Sequence, residues 1–149
     1  MKSPKQSTSK SDRLHRITLT NKRQKIFDIV LGAEKPLSAY DIADQYQKSF
    51  GSTIPAMSVY RILKFLSNEG LVHKLESINQ YVVCGHLNCE HEHSSAQFLI
   101  CDSCNTAKEI TLTDDIHQLL LEGIAKTGFK LDSLQFELHG ICAVCQQTK

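Results

Sequence analysis

The sequence has 149 residues, 41% of them apolar and 22% charged, with a net charge of +1. This is the balance of a globular chain with room for one domain or two small ones. It excludes a collagen-like fibre, wholesale disorder and a coiled-coil rod, and no apolar run approaches the ~20 residues of a membrane span.

The charge is unevenly placed. Residues 1–83 carry 13 Lys/Arg against 7 Asp/Glu, and residues 84–149 carry 4 against 9. Such asymmetry points to two modules, the first suited to a polyanion, although uneven surface charge alone gives the same count. All six cysteines (Cys84, Cys89, Cys101, Cys104, Cys142, Cys145) lie in the acidic half. Met1 to Ser11 is polar and rich in Lys and Ser, so it reads as a short disordered arm and not a secretory leader. The cysteines are therefore expected to be reduced thiols and candidate metal ligands, not a disulfide framework.

In chain order, three helical patterns come first. The first runs from about Asn21 to Leu31 with Ile26, Ile29 and Val30 on one face, Thr20 at its N-cap and Gly32 behind it. The second opens at Ser38 with Asp41 three residues on, a capping-box spacing. Its face is Ala39, Ile42, Ala43 and Tyr46, and Gly51 marks the stop. The third begins near Pro55, and Val59, Ile62, Leu63 and Leu66 form its inward stripe. Ser58, Arg61 and Lys64, three apart, are read as looking outward. Two β-prone runs follow, Leu71 to Leu75 and Gln80 to Val83, joined by a turn over 76–79. Three helices and a hairpin is the order of a winged helix-turn-helix with the third helix as the DNA reader, although a plain helical bundle gives similar stripes.

Residues 84–95 read as a hinge in which Cys, His and Glu are interleaved. The remainder, 96–149, changes character. Phe98–Cys101 and Ala107–Ile110 predict a hairpin. Ile116, Leu119, Leu120 and Ile124 predict a helix opened by Thr111 with Asp114 and stopped at Gly128. The alternation of Leu134, Phe136 and Leu138 predicts a half-buried strand. The expected fold class is α+β: a winged-helix DNA-binding domain over 1–83, then a small α/β domain with a four-cysteine zinc site.

Cys101-Asp-Ser-Cys104 and Cys142-Ala-Val-Cys145 are two CxxC pairs with 37 residues between them. Each pair grips one ion from a single turn, and together they supply the four sulfurs of a tetrahedral zinc site. The separation exceeds the ~15–20 residues of a compact zinc ribbon, leaving room for the helix and strand. A second, looser set comprises His73 in the wing, Cys84 at its end, His86, Cys89, His91 and His93 beyond it, and Glu109 after the first CxxC. Thiolate together with imidazole favours zinc, whereas an all-N/O set suits iron or manganese.

The stretches Ser38-Ala-Tyr-Asp, Ser58-Val-Tyr-Arg-Ile-Leu, Leu71-Val-His-Lys, Tyr81-Val-Val-Cys, Ile100-Cys-Asp-Ser-Cys and His139-Gly-Ile-Cys follow one another in an order that resembles the ferric uptake regulator family of bacterial repressors, from about Leu19 to Cys145. Cys84 points to its zinc-responsive branch. The resemblance implies a cytoplasmic homodimer, with no membrane or small-molecule partner, that binds operator DNA and represses zinc-uptake genes when zinc is plentiful. It implies two zinc ions per chain: a structural one on Cys101, Cys104, Cys142 and Cys145, and a regulatory one on His73, Cys84, His93 and Glu109. His86, Cys89 and His91 remain alternatives to His93. With four residues after Cys145, no further tail site is expected. Tyr40 and Arg61 match base-contacting positions, while Lys22, Arg23 and Lys64 are expected to hold phosphates and Ser58 to share the reading face. The competing readings are an iron- or peroxide-responsive relative, a CxxC thiol oxidoreductase, which needs an exposed thiolate of low pKa, and a purely structural zinc module. No Ser/His/Asp pattern, phosphate loop or carboxylate pair argues for catalysis, so a non-enzyme is expected.

Overall fold

The computed structural model describes residues 17–85 and 96–148, which divide into two compact units within residues 1–91 and 92–149. The expected N-terminal arm and the candidate ligands His86, Cys89, His91 and His93 lie outside the described residues. No described helix is long and apolar enough to cross a membrane.

In the first unit, helices α1 (Asn21–Leu31), α2 (Ala39–Phe50) and α3 (Ala56–Asn68) precede the hairpin of β1 (Val72–Leu75) and β2 (Gln80–Val83). The core draws Ile26, Phe27 and Val30 from α1, Ala39, Ile42 and Tyr46 from α2, and Val59, Leu63 and Leu66 from α3. Leu71, Val72 and Tyr81 close it from the hairpin. The capping box forms as expected: Ser38 Oγ accepts from Asp41 N at 3.1 Å, and Asp41 Oδ2 accepts from Ser38 N at 2.9 Å. Gly51, at φ 68°, ends α2 in the left-handed region that glycine tolerates best. Thr20 stands at the N-cap of α1 but makes no side-chain cap bond, and Pro55 is the N-cap of α3.

The hairpin is antiparallel, with His73 opposite Val82. Leu37 bridges to Tyr81 through two backbone bonds of 3.1 and 2.8 Å, which fastens the entry of α2 to the wing. Asn79, at φ 50°, makes the turn; asparagine tolerates this conformation better than most residues.

The second unit orders its strands β4-β3-β5, with β3 (Gln97–Cys101) central, β4 (Ala107–Ile110) antiparallel to it and β5 (Phe136–Gly140) parallel. Buried Gln97 starts the parallel seam. Its Oε1 accepts from Phe136 N at 3.0 Å and its Nε2 donates to Leu134 O at 3.1 Å. Helix α4 (Asp114–Ala125) and a short α5 (Ala143–Gln147) complete the unit.

Three expectations change here. Thr113, not Thr111, is the N-cap of α4, and Asp114 and Asp115 occupy the first turn, where the positive end of the helix favours acids. The stripe of α4 buries no residue, with Ile116 51% and Leu119 68% exposed. Along β5, Leu134 and Phe136 are half-buried as the alternation predicts, but Leu138 is exposed.

Candidate metal centre and nucleic-acid face

The parallel seam builds the four-thiol clamp. It sets Cys101, the last residue of β3, opposite Gly140, two residues before Cys142. The turn after β3 carries Cys104, and Asn105 at φ 56° folds it back, its N–H donating to Cys101 O at 2.9 Å. The ligand atoms of Cys101, Cys104, Cys142 and Cys145 all lie within 4.8 Å of one another. Cys104 Sγ and Cys142 Sγ are 3.8 Å apart, and Cys142 N donates to Cys101 Sγ at 3.3 Å.

That backbone bond from Cys142, joined by one from Cys104, lowers the Cys101 thiol to about 6. The Thr106 hydroxyl, 3.1 Å from Cys104 Sγ, lowers Cys104. The Ser103 hydroxyl pulls Cys145 down, but the crowding sulfurs of Cys142 and Cys104 outweigh it and push that thiol up to about 12. Four adjacent thiols resist ionising together unless a cation sits among them. The set is soft and four-coordinate, so its chemistry fits zinc.

A further link ties the two CxxC segments. Asp102, inside the first, shares a hydrogen bond with His139, Oδ1 to Nδ1 at 2.6 Å, and Asp102 N donates to Gly140 O at 2.9 Å. In the sequence His139 stands out only as part of a motif. Its pairing with Asp102 depends on strand register, which spacing does not reveal.

In the first unit, His73 and Cys84 come together. Val82 faces His73 across the hairpin, and Cys84, two residues on, projects to the same side of the strand as Val82. Cys84 N donates to Leu71 O at 2.9 Å, which continues the ladder. Both side chains are buried, and their ligand atoms lie within 4.8 Å of each other. In the second unit, Glu109 sits half-buried on β4 opposite Phe98.

The exposed side of α3 consists of Met57, Arg61, Lys64 and Asn68; Ser58 is half-buried. The expected outward trio is corrected in this respect. Steps of three fall short of the 3.6-residue turn, so a 58-61-64 row drifts toward the core, while 57-61-64-68 stays opposite Val59 and Leu63. Tyr40, in the first turn of α2, is 66% exposed. Lys22 is exposed, whereas Arg23 stacks its guanidinium 3.7 Å over the Phe65 ring, which leaves its edge N–H groups as donors. The wing's Lys74 is compensated by Glu76 at 2.8 Å.

A winged helix followed in the chain by an α+β unit with a four-thiol clamp is the build of a metal-binding helix-turn-helix protein. Residues 15–139 match the ferric uptake regulator family, and the chain belongs to it. It is 36% identical over 133 residues to the zinc uptake regulation protein of Escherichia coli K12, spanning 89% of this chain and 75% of that one. A solved zinc uptake regulator complexed with zinc and DNA is similar at a TM-score of 0.78 and 28% identity, over 95% of this chain and 98% of that one. Holo XcZur is similar at a TM-score of 0.70 and 32% identity, over 93% and 99%.

Proposed function

We propose that this chain is a zinc-responsive repressor that binds operator DNA as a zinc-loaded homodimer in the bacterial cytoplasm and shuts off zinc-uptake genes. The observation that carries the reading is the buried His73–Cys84 pair, whose ligand atoms lie within 4.8 Å. A thiol beside an imidazole selects zinc over the harder ions that all-N/O sites prefer. Relationship to zinc uptake regulators over most of the chain supports the same choice. The uncovered apolar surface of α4, Phe129 and Leu138 supports a second copy as partner.

Two ions per chain belong to this reading: one on the four-thiol clamp, the other on His73, Cys84, Glu109 and His93. When bound at the second set, zinc neutralises thiolate and carboxylate and cross-links positions on both sides of the 84–95 segment. Affinity for a two-half-site operator is the intrinsic affinity scaled by the fraction of dimers whose reading helices are correctly spaced. Half-sites lie one DNA turn or a multiple apart, and ligands flanking 84–95 are placed to set that fraction. Arg61 reads guanine O6/N7, Tyr40 a neighbouring base, and Lys22, Arg23 and Lys64 hold phosphates.

The test is a DNA-binding titration against free zinc. The parent is expected to bind with a defined zinc midpoint. Cys84→Ser, with the clamp intact, is expected to need more zinc or to lose the response, because a hydroxyl is a far poorer zinc ligand than a thiolate. Equal binding by both proteins at zinc levels that fill only the clamp would refute the proposal. Tight Fe²⁺-dependent binding without a zinc response would instead favour the iron branch.

The Asp102–His139 link yields a second expectation. The pair is partly exposed, so its direct contribution to stability is small. It nevertheless fastens the turn that carries Cys101 and Cys104 to the strand that leads to Cys142. Asp102→Ala is expected to pass clamp zinc to a chromophoric chelator faster than the parent. An unchanged transfer rate would remove that role.

A further inference from the structure

We infer that Met57 reads the 5-methyl group of a thymine, as the apolar tip of the face that carries Arg61. The inference rests on the repressor reading and deepens it by naming a specificity-determining residue.

The exposed residues of α3 are Met57, Arg61, Lys64 and Asn68, a single row at i, i+4, i+7 and i+11 opposite the buried Val59, Leu63 and Leu66. Three of the four are polar or cationic. Met57 is the exception, 64% exposed and in the first turn of the helix. In a helix-turn-helix the N-terminal residues of the reading helix are the ones that reach base edges. Helical side chains also lean toward the N-terminus, so Arg61 projects over the turn that Met57 occupies. With Arg61 and Lys64 on the same row, the surface around Met57 favours a polyanion over an apolar protein partner.

A thioether side chain offers no strong donor or acceptor, so its complement in a major groove is apolar, and the thymine methyl is the apolar group displayed there. Met57 and Arg61 are four residues apart, about 6 Å along the helix, or roughly two base-pair steps of 3.4 Å. The thymine read by Met57 therefore lies within about two base pairs of the guanine read by Arg61.

The experiment uses the full chain loaded with zinc and an operator selected from a random duplex library. Each thymine is replaced in turn by uracil, which removes only the methyl group, and binding is measured for the parent, Met57→Ala and Met57→Gln. The glutamine variant keeps side-chain length but not its apolar end, and circular dichroism checks that both variants fold. At one position per half-site, close to the guanine whose recognition Arg61→Ala abolishes, uracil is expected to weaken the parent about fourfold, the size of one buried methyl group. Both Met57 variants are expected to bind thymine and uracil duplexes alike. A parent indifferent to uracil near that guanine, or variants that keep the parent's thymine preference, would overturn the inference and leave the repressor reading standing. Failure of the parent to select any DNA would overturn both.

Discussion

Cys142→Ser is expected to lose the clamp ion and unfold the second unit while the first unit stays folded. A serine hydroxyl is a far poorer zinc ligand than a thiolate, and the remaining three sulfurs do not close a tetrahedron. Loss of metal matters because, within one chain, this unit's core is small. Phe98 and Ile100 are buried on a three-stranded sheet, and α4 buries no residue of its own. Apparent binding free energies of structural zinc sites are about 10–16 kcal/mol at neutral pH, which exceeds what such a core supplies. The first unit has its own cluster of Ile26, Phe27, Ile42, Val59, Leu63 and Leu66, which includes none of the clamp cysteines. Hydrogen exchange read residue by residue, alongside zinc stoichiometry, should show protection lost over 96–148 and kept over 17–85. A variant that retains zinc and second-unit protection would show that the clamp does not hold the unit together.

Acid should reproduce the same loss in the parent. Zinc is held by thiolates, so protons compete with it for all four sulfurs and the apparent zinc affinity falls as pH falls. Zinc release followed with a chromophoric chelator should therefore increase on acidification, and a release that does not change with pH would show that thiolates do not hold the ion.

Arg61→Ala should weaken operator binding by about 1–3 kcal/mol and relax discrimination at one base position, while binding to scrambled duplex changes little. Arg61 is exposed in the middle of the α3 row and tied by no ion pair among the described residues, so its planar fork is available to a guanine edge. Lys64→Ala gives the contrast. Removing one phosphate-binding cation should weaken all sequences alike and reduce the salt slope by about one. Anisotropy titrations at several salt concentrations separate the two. Equal losses on operator and scrambled DNA for Arg61→Ala would place Arg61 on the backbone and not on a base.

The first unit is largely legible in the sequence because its instructions are local. The Ser38–Asp41 box, Gly51 and the 59-63-66 stripe each act within one helix. The error on α3 is also local: a three-residue step, taken as one face, selects half-buried Ser58 and passes over Met57. The second unit depends on pairing between β3 and β5, about 40 residues apart in the chain, and no short-range pattern announces a parallel partner. For the same reason the CxxC pairs are recognisable by spacing, whereas the Asp102–His139 hydrogen bond is not. The stripe on α4 is amphipathic as its periodicity predicts, but periodicity does not say what covers an apolar face.

The parallel seam between β3 and β5 also dictates when this protein can finish folding as it is made. The winged-helix half is complete as soon as it clears the ribosome. Cys101 and Cys104, in contrast, must wait for Cys142 and Cys145, the nearer of which follows Cys104 by 38 residues. Two sulfurs alone do not close a tetrahedron, so the ion and the second half are secured last, after the reading half has already folded.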